Sequence, residues 1–315
     1  MKQTLEKRLM ESPSKVVFFL ALSLVFLGSQ SRFSSADSLQ TVSRHVRLGY
    51  SSTTIANIGR KDAKVALKAW ADMTSREDGE NFITETEFYD TLPEVVQAIR
   101  NGLIDMAVVS PMEYLQIRDT VPLEPFHSAE VSGSPYEEFT LLVHKDSGLK
   151  ALTDLRDKRL LVEMSTTGKM PLLWLNTLLK KETLPGSFDF FGSLKEVSRT
   201  QSGAMAVFFK QTDACLVRKS GLTTMIELNP QIGTTLTPLM TSPPFMRAIV
   251  CIRPEYNISD RERLKTSALK LHQTPRGKQV LTLFRIDRII PFDPALLRST
   301  EALLAESSQL GLPVP

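Results

Sequence analysis

Short apolar runs alternate with amphipathic ones along most of this chain. Residues 46–51 (VRLGYS) read as a strand that ends in a polar loop over 51–57. Over 61–74, Ala66, Leu67, Trp70 and Met73 fall on one helical face. Residues 83–89 alternate weakly, Ile83, Glu85 and Glu87 opposing Thr84, Thr86 and Phe88, and read as a strand. Leu92, Val95, Val96 and Ile99 line a second helix, with Pro93 in its first turn and Gly102 at its stop. Residues 104–110 (IDMAVVS) are a short buried strand, and Pro111 begins a turn or a helix. The grammar then recurs. Strands are predicted over 136–145, 159–164, 188–192, 214–217 and 247–254, and helices over 171–181 and 195–209. Two lysines close the 171–181 helix, where they suit its dipole. From Ser259 the tail reads as helical, with Asp293 and Pro294 opening the last helix.

Strands and helices in alternation with short loops give α/β units around mostly parallel sheets. Two such units fit either two lobes or one large sheet. The strands at 137–144 and 247–253 are placed to act as crossovers, and in that case the C-terminal helices return to the first lobe. The expected division is then 45–136 with 254–315 as lobe 1 and 137–253 as lobe 2.

The first 36 residues stand apart. A leader carrying Lys2, Lys7, Arg8 and Lys15 precedes a 12-residue apolar run, 16–27, too short for an ordinary membrane-spanning helix. Ser34, Ser35 and Ala36 supply small residues for cleavage after Ala36, which makes 1–36 a secretory signal peptide and the mature chain periplasmic. An uncleaved anchor is the other reading. The whole chain has 38 basic and 35 acidic residues; without the leader's five bases and two acids, 33 of each remain over 279 residues. A neutral mature chain gives no footing for nucleic-acid binding. The two cysteines, Cys215 and Cys251, exclude a disulfide scaffold and leave one bridge or two buried thiols open.

Candidate chemistry gathers at strand ends. Ser165-Thr166-Thr167-Gly168 lies between a strand and an apolar helix, where hydroxyls and unpaired N–H groups can cradle an anion, with Lys169 adjacent. The same turn also reads as a helix cap. Tyr50, Ser51, Ser52, Thr53 and Thr54 follow the first strand, and Ser110, Glu113 and Tyr114 follow the 104–110 strand. Ligands of open α/β sheets bind at such ends, although each segment alone reads equally as a solvated turn. Catalytic patterns are missing. His45, His127, His144 and His272 make no metal-ligand spacing, there is no Gly-x-Ser-x-Gly elbow, and Asp105 and Asp213 read as strand-start residues. Trp70 and Trp174 read as core. The chain is therefore read as a binding protein and not an enzyme, with no cofactor and no metal.

Five stretches, LGYSSTT, VVQAIRNGLIDMAVVSPMEY, LTDLRDKRLLVEMSTTG, TDACLV and SPPFMRAIVCIRP, occur in an order and spacing that resemble the periplasmic solute-binding proteins of phosphate and phosphonate ABC transporters. The resemblance implies a two-lobed, type 2 periplasmic-binding α/β fold with a central ligand cleft. It implies that Ser165, Thr166 and Thr167 hold anionic oxygens, that Tyr50 and Ser51 face them, and that Ser110 and Tyr114 line the cleft. Arg218 departs from the family, standing where phosphonate binders that hold an amino group have an acid. In the cleft it favours a second negative charge; a strand-end arginine can equally point to solvent. The implied partners are a small anionic ligand and an inner-membrane ABC permease or, in the alternative reading, a sensor protein. The implied state is a monomer.

Overall fold

Thirteen strands lie among residues 44–55, 61, 63–65, 67–68, 82–164 and 168–313, the residues described by the computed structural model. In chain order they are β1 (Arg44–Ser51), β2 (Phe82–Tyr89), β3 (Met106–Val109), β4 (Glu124–Glu130), β5 (Tyr136–Glu137) and β6 (Phe139–His144). There follow β7 (Arg159–Glu163), β8 (Ser193–Val197), β9 (Ala214–Arg218), β10 (Leu236–Thr241), β11 (Phe245–Met246), β12 (Ile249–Ile252) and β13 (Arg288–Pro291). Six form one sheet in the order β13-β4-β12-β3-β1-β2, five form another in the order β10-β6-β9-β7-β8, and β5 pairs with β11. The fold is a two-lobed α/β architecture. The expected leader, 1–36, lies outside the described residues, as do Trp70 and Met73.

The two sheets share one plan. β1 runs parallel to β2 and β3, and β12 lies antiparallel beside β3. β7 runs parallel to β8 and β9, and β6 lies antiparallel beside β9. Each antiparallel strand is entered directly from a crossover strand, β12 from β11 and β6 from β5. The Ile249–Ile252 strand therefore belongs to the six-stranded sheet, whereas the sequence division assigned residues up to 253 to the second lobe.

An identical clamp opens the parallel part of each sheet. Arg47 donates from Nε and Nη2 to Asp105 at 2.9 and 2.7 Å, and from Nη1 to the Gly102 carbonyl. Arg159 donates from Nε and Nη2 to Asp213 at 3.0 and 3.1 Å, and from Nη1 to the Gln211 carbonyl. In both cases the arginine's own N–H also binds the aspartate. Asp105 and Asp213 are thus strand-start anchors.

Alternation puts apolar groups on both faces of each sheet, as a doubly covered parallel sheet requires. Ala107, Val109, Ile249 and Cys251 pack on Val95 and Ile99 of the Leu92–Arg100 helix. Val46, Leu48, Met106, Val108 and Ile252 pack on the other side with Leu67. In the second lobe Leu141, Leu160, Val162 and Leu216 pack on the Met170–Lys181 helix, with Trp174 in that core, and Cys215 and Val217 face Ala204 and Val207. Cys215 and Cys251 sit in different sheets as buried free thiols, so they make no bridge; burial raises both pKa values.

Several elements differ from the periodicity. The phenylalanine-rich 188–192 stretch is not a strand: Ser187–Phe190 is a helical turn whose first N–H is held by Asn176 Oδ1 at 2.8 Å. The strand is β8, a sheet-edge strand with little apolar content, and the next helix begins only at Thr200. β4 and β13 are absent from the sequence reading because β4 carries Pro125, His127 and Ser128 where apolar residues are expected, and β13 has four residues.

Asp105→Ala is expected to cost roughly 2–3 kcal/mol, since it strips a buried carboxylate from a partly exposed arginine. Asp213→Ala, in the more exposed copy of the clamp, should cost less. Urea unfolding of both variants orders them, and an equal loss would contradict the burial argument. His127 is 2% exposed and its Nε2 has no partner among the described residues. Burial lowers its pKa from 6.5 to about 4. The fold thus favours the neutral ring. That contribution is complete above pH 6.5 and falls as pH drops towards 4, by about 2 kcal/mol at pH 5. A pH series of unfolding curves should be shallower for His127→Gln than for the parent.

Candidate functional site

The first lobe ends its central strands in a hydroxyl cluster that closes on one carboxylate. Ser51 stops β1, and Ser52–Ile55 follows as a 3₁₀ turn. Ser51 Oγ donates to Glu113 Oε1 at 2.5 Å, Thr53 Oγ1 to Glu113 Oε2 at 2.9 Å, and the Ser110 N–H to Oε2 at 2.7 Å. Ser110 caps the Pro111–Ile117 helix and accepts from the Glu113 N–H, a complete capping box. The Thr91/Glu94 box of the same lobe is a useful contrast. It lies on the surface, and among the described residues Glu94 accepts from the neighbouring Asp90 and Thr91 N–H groups alone. Glu113 has the same local role, yet it is buried and collects two hydroxyls from a different strand end.

Tyr50 and Tyr114 are placed otherwise than the resemblance implies. Tyr50 is on the opposite face of β1 from Ser51, packed in the core with its ring 5.8 Å from Phe88. Tyr114 meets Phe292 edge-on at 6.4 Å within the other core of that lobe. Burial raises the pKa of both.

The second lobe repeats the device. Glu163, fully buried at the end of β7, accepts from Thr200 Oγ1 at 2.7 Å, the Arg218 N–H at 3.0 Å and Arg218 Nε at 2.7 Å. Arg218 ends β9, so its charge is already paired within the lobe. The next helix, Lys219–Leu228, must come close to Thr200. A Cβ on Gly221 would stand 2.2 Å from Thr200 Oγ1, so only glycine fits there.

The residues after Arg218 tie this rim to the crossover. Lys219 Nζ donates to Glu138 at 2.9 Å, and Ser220 Oγ to Glu137 at 2.9 Å. Arg247 Nη1 donates to Glu137 at 2.7 Å across the β5–β11 pair. Glu137 and Arg247 are both buried. Sequence reasoning missed Glu137, Glu163 and Arg247. The available signal was a charged residue inside an apolar strand, as in RLLVEM.

Ser165, Thr166 and Thr167 lie outside the described residues. Gly168, which follows them, has φ +66°, and a Cβ there would lie 3.7 Å from Thr53 Cγ2. Gly168 therefore meets the turn after β1, and here the C-terminal sides of the two sheets adjoin. Ser51 and Ser110 are linked through Thr53 and Glu113 to the point where the first lobe meets Gly168. Among the described residues no group of histidine, cysteine, aspartate and glutamate could hold a metal ion.

The family model described as the periplasmic substrate-binding protein of phosphonate ABC transporters matches residues 47–297. The binding protein component of an ABC phosphonate transporter from Pseudomonas aeruginosa superposes with a TM-score of 0.61 at 17% identity, covering 85% of this chain and 88% of that one. A Xanthomonas citri protein bound to ATP gives 0.61 at 16% identity over 85% and 98%. PhnD1 from Prochlorococcus marinus in complex with methylphosphonate gives 0.59 at 15% identity over 85% and 98%. At these identities the likenesses show the fold.

Arg218→Ala would leave the Glu163 carboxylate buried beside a single hydroxyl and one N–H. The expected loss is roughly 3–5 kcal/mol. The double variant Glu163→Leu with Arg218→Met should recover most of it, because apolar replacements of a buried pair are often neutral. Urea unfolding of the single and double variants reads the difference; a single variant as stable as the parent would remove the pair from its structural role.

Proposed function

The chain belongs to the periplasmic substrate-binding proteins of phosphonate ABC transporters, and we propose that it captures a small oxyanion (phosphonate, phosphate or a related ion) for an inner-membrane permease. Members of this family are solute-binding proteins, not catalysts, and they work in the periplasm. Export by cleavage after Ala36 is part of the proposal; N-terminal sequencing of secreted protein checks it.

The observation that carries the reading is the meeting of the two rims at Thr53 and Gly168. A ligand held there touches both lobes only when they are together, so binding favours the closed arrangement. Ser165, Thr166 and Thr167 hold the anionic oxygens through hydroxyl and backbone N–H dipoles, which need no opposing formal charge. Ser51 and Ser110 act from the first lobe, through the order they impose on Thr53 and Glu113. Tyr50 and Tyr114 support this rim from the core behind it. Arg218 is held at the rim by Glu163 and presents the remainder of its guanidinium. The methylphosphonate and ATP of the two related structures share a phosphorus oxyanion, which agrees with this ligand class.

Thr166→Ala is expected to weaken oxyanion binding about 10- to 100-fold, the worth of one hydrogen bond to a charged group. Calorimetry with methylphosphonate tests it. If alanine at each of 165, 166 and 167 leaves the affinity unchanged, the loop is only a helix cap.

A further inference from the structure

Each rim carries a carboxylate in the place where an anion binder is expected to show donors. Glu113 takes the Ser51 and Thr53 hydroxyls and the Ser110 N–H. Glu163 takes the Thr200 hydroxyl and two N–H groups of Arg218. Arg218 is the compensating cation of the second rim, and Lys169, beside Gly168, is exposed. No lysine, arginine or histidine within 4.0 Å pairs with Glu113 among the described residues. Neutral hydroxyls and an amide satisfy its hydrogen bonds but leave its charge. Thr53, one hydrogen bond from that charge, is the residue of the first lobe that meets Gly168. The first-lobe side of the seam therefore carries a buried carboxylate that has no ion-pair partner within 4.0 Å among the described residues.

We propose that Glu113 limits the ligand to a singly charged oxyanion, a sulfonate or the monoanion of a phosphonate, and disfavours dianions. The inference rests on the oxyanion reading above and goes beyond it by assigning the charge of the ligand. The physical cause is Coulombic. A second negative charge on the ligand meets the charge of Glu113, which is itself buried and so is screened less by water and salt than a surface carboxylate. Hydroxyl and amide donors serve one oxyanion charge well, and among the described residues no cation pairs with Glu113 to repay a second. Glu113 is thus a specificity residue, acting on the ligand by repulsion while its capping box holds the Pro111–Ile117 helix in place.

The ligand itself provides the test. Methylphosphonate changes from monoanion to dianion as pH rises through its second ionisation, whereas methanesulfonate stays a monoanion. Calorimetry on the mature chain, below and above that ionisation, is expected to show methylphosphonate binding weakening at least about tenfold, with methanesulfonate unchanged. Glu113→Gln keeps the side chain's shape and removes its charge, and should flatten the methylphosphonate profile. Methylphosphonate binding that tightens with pH in the parent protein would overturn the proposal without reference to any variant. So would a parallel loss of methanesulfonate binding, which would assign the effect to a titrating protein group, or a folded Glu113→Gln protein that keeps the parent profile. If neither ion binds at any pH, the oxyanion reading falls first and this inference falls with it.

Discussion

A carboxylate taken out of water has to be surrounded by donors, and that requirement organises the rims of both lobes. Glu113 draws together the end of β1, the turn after it and the start of the Pro111–Ile117 helix. Glu163 does the same for β7, β9 and the helix that begins at Thr200. In the first lobe two segments distant in sequence are fixed by one side chain, and in the second lobe three. The cost of burying the charge is offset only if all the donors stay in place. The rims are therefore rigid for the same reason that they are charged. A ligand meets a preformed surface with a fixed electrostatic sign.

The opposite ends of the sheets are fixed just as firmly, by Arg47 with Asp105 and Arg159 with Asp213. The two clamps use the same atoms, and their strands are in the same register: Leu48 pairs with Met106, and Leu160 with Ala214. Each lobe is thus pinned at the bottom by an arginine–aspartate pair and at the top by a glutamate. The bottoms are alike in the two lobes, and the tops differ. In the first lobe the acid follows the third strand, and among the described residues no cation pairs with it. In the second it ends the first strand, and Arg218 answers it.

The alternation of apolar strands with amphipathic helices made the two α/β units legible, because burial on both faces leaves continuous runs such as MAVV. The family resemblance was legible in the order of several weak motifs. Strands whose burial is polar stayed hidden: β4 buries His127 and Ser128, so no periodicity marks it. The candidate site was legible in part. Hydroxyls at Ser51 and Ser110 could be read as lying at strand ends, but not that both would turn to Glu113. Tyr50 and Ser51 are neighbours on one strand and must face opposite ways, which a list of polar residues at a strand end conceals. Arg218 as a free selector of charge was a reading of one residue, and its partner Glu163 stands 55 positions away.

The lobes do not touch only at their rims. Met112, from the helix capped by Ser110, is buried in the core of the second lobe together with Phe245 of β11 and Leu303 of the C-terminal helix, Arg298–Gln309. That helix holds the first lobe through Glu301 with Arg118 at 2.6 Å, and the second through Glu306 with Lys181 at 2.7 Å. Both ion pairs are exposed and contribute little on their own; the burial of Leu303 anchors the helix. A motion that parted Thr53 from Gly168 by translation would pull Met112 and Leu303 out of the apolar core. The two lobes are also joined at the β5–β11 pair, whose Phe245 lies in that apolar core. The Glu137–Arg247 pair lies on those strands, and Ser220 ties it to the helix that follows Arg218. The crossover and the second rim are therefore joined by three consecutive residues, Arg218, Lys219 and Ser220.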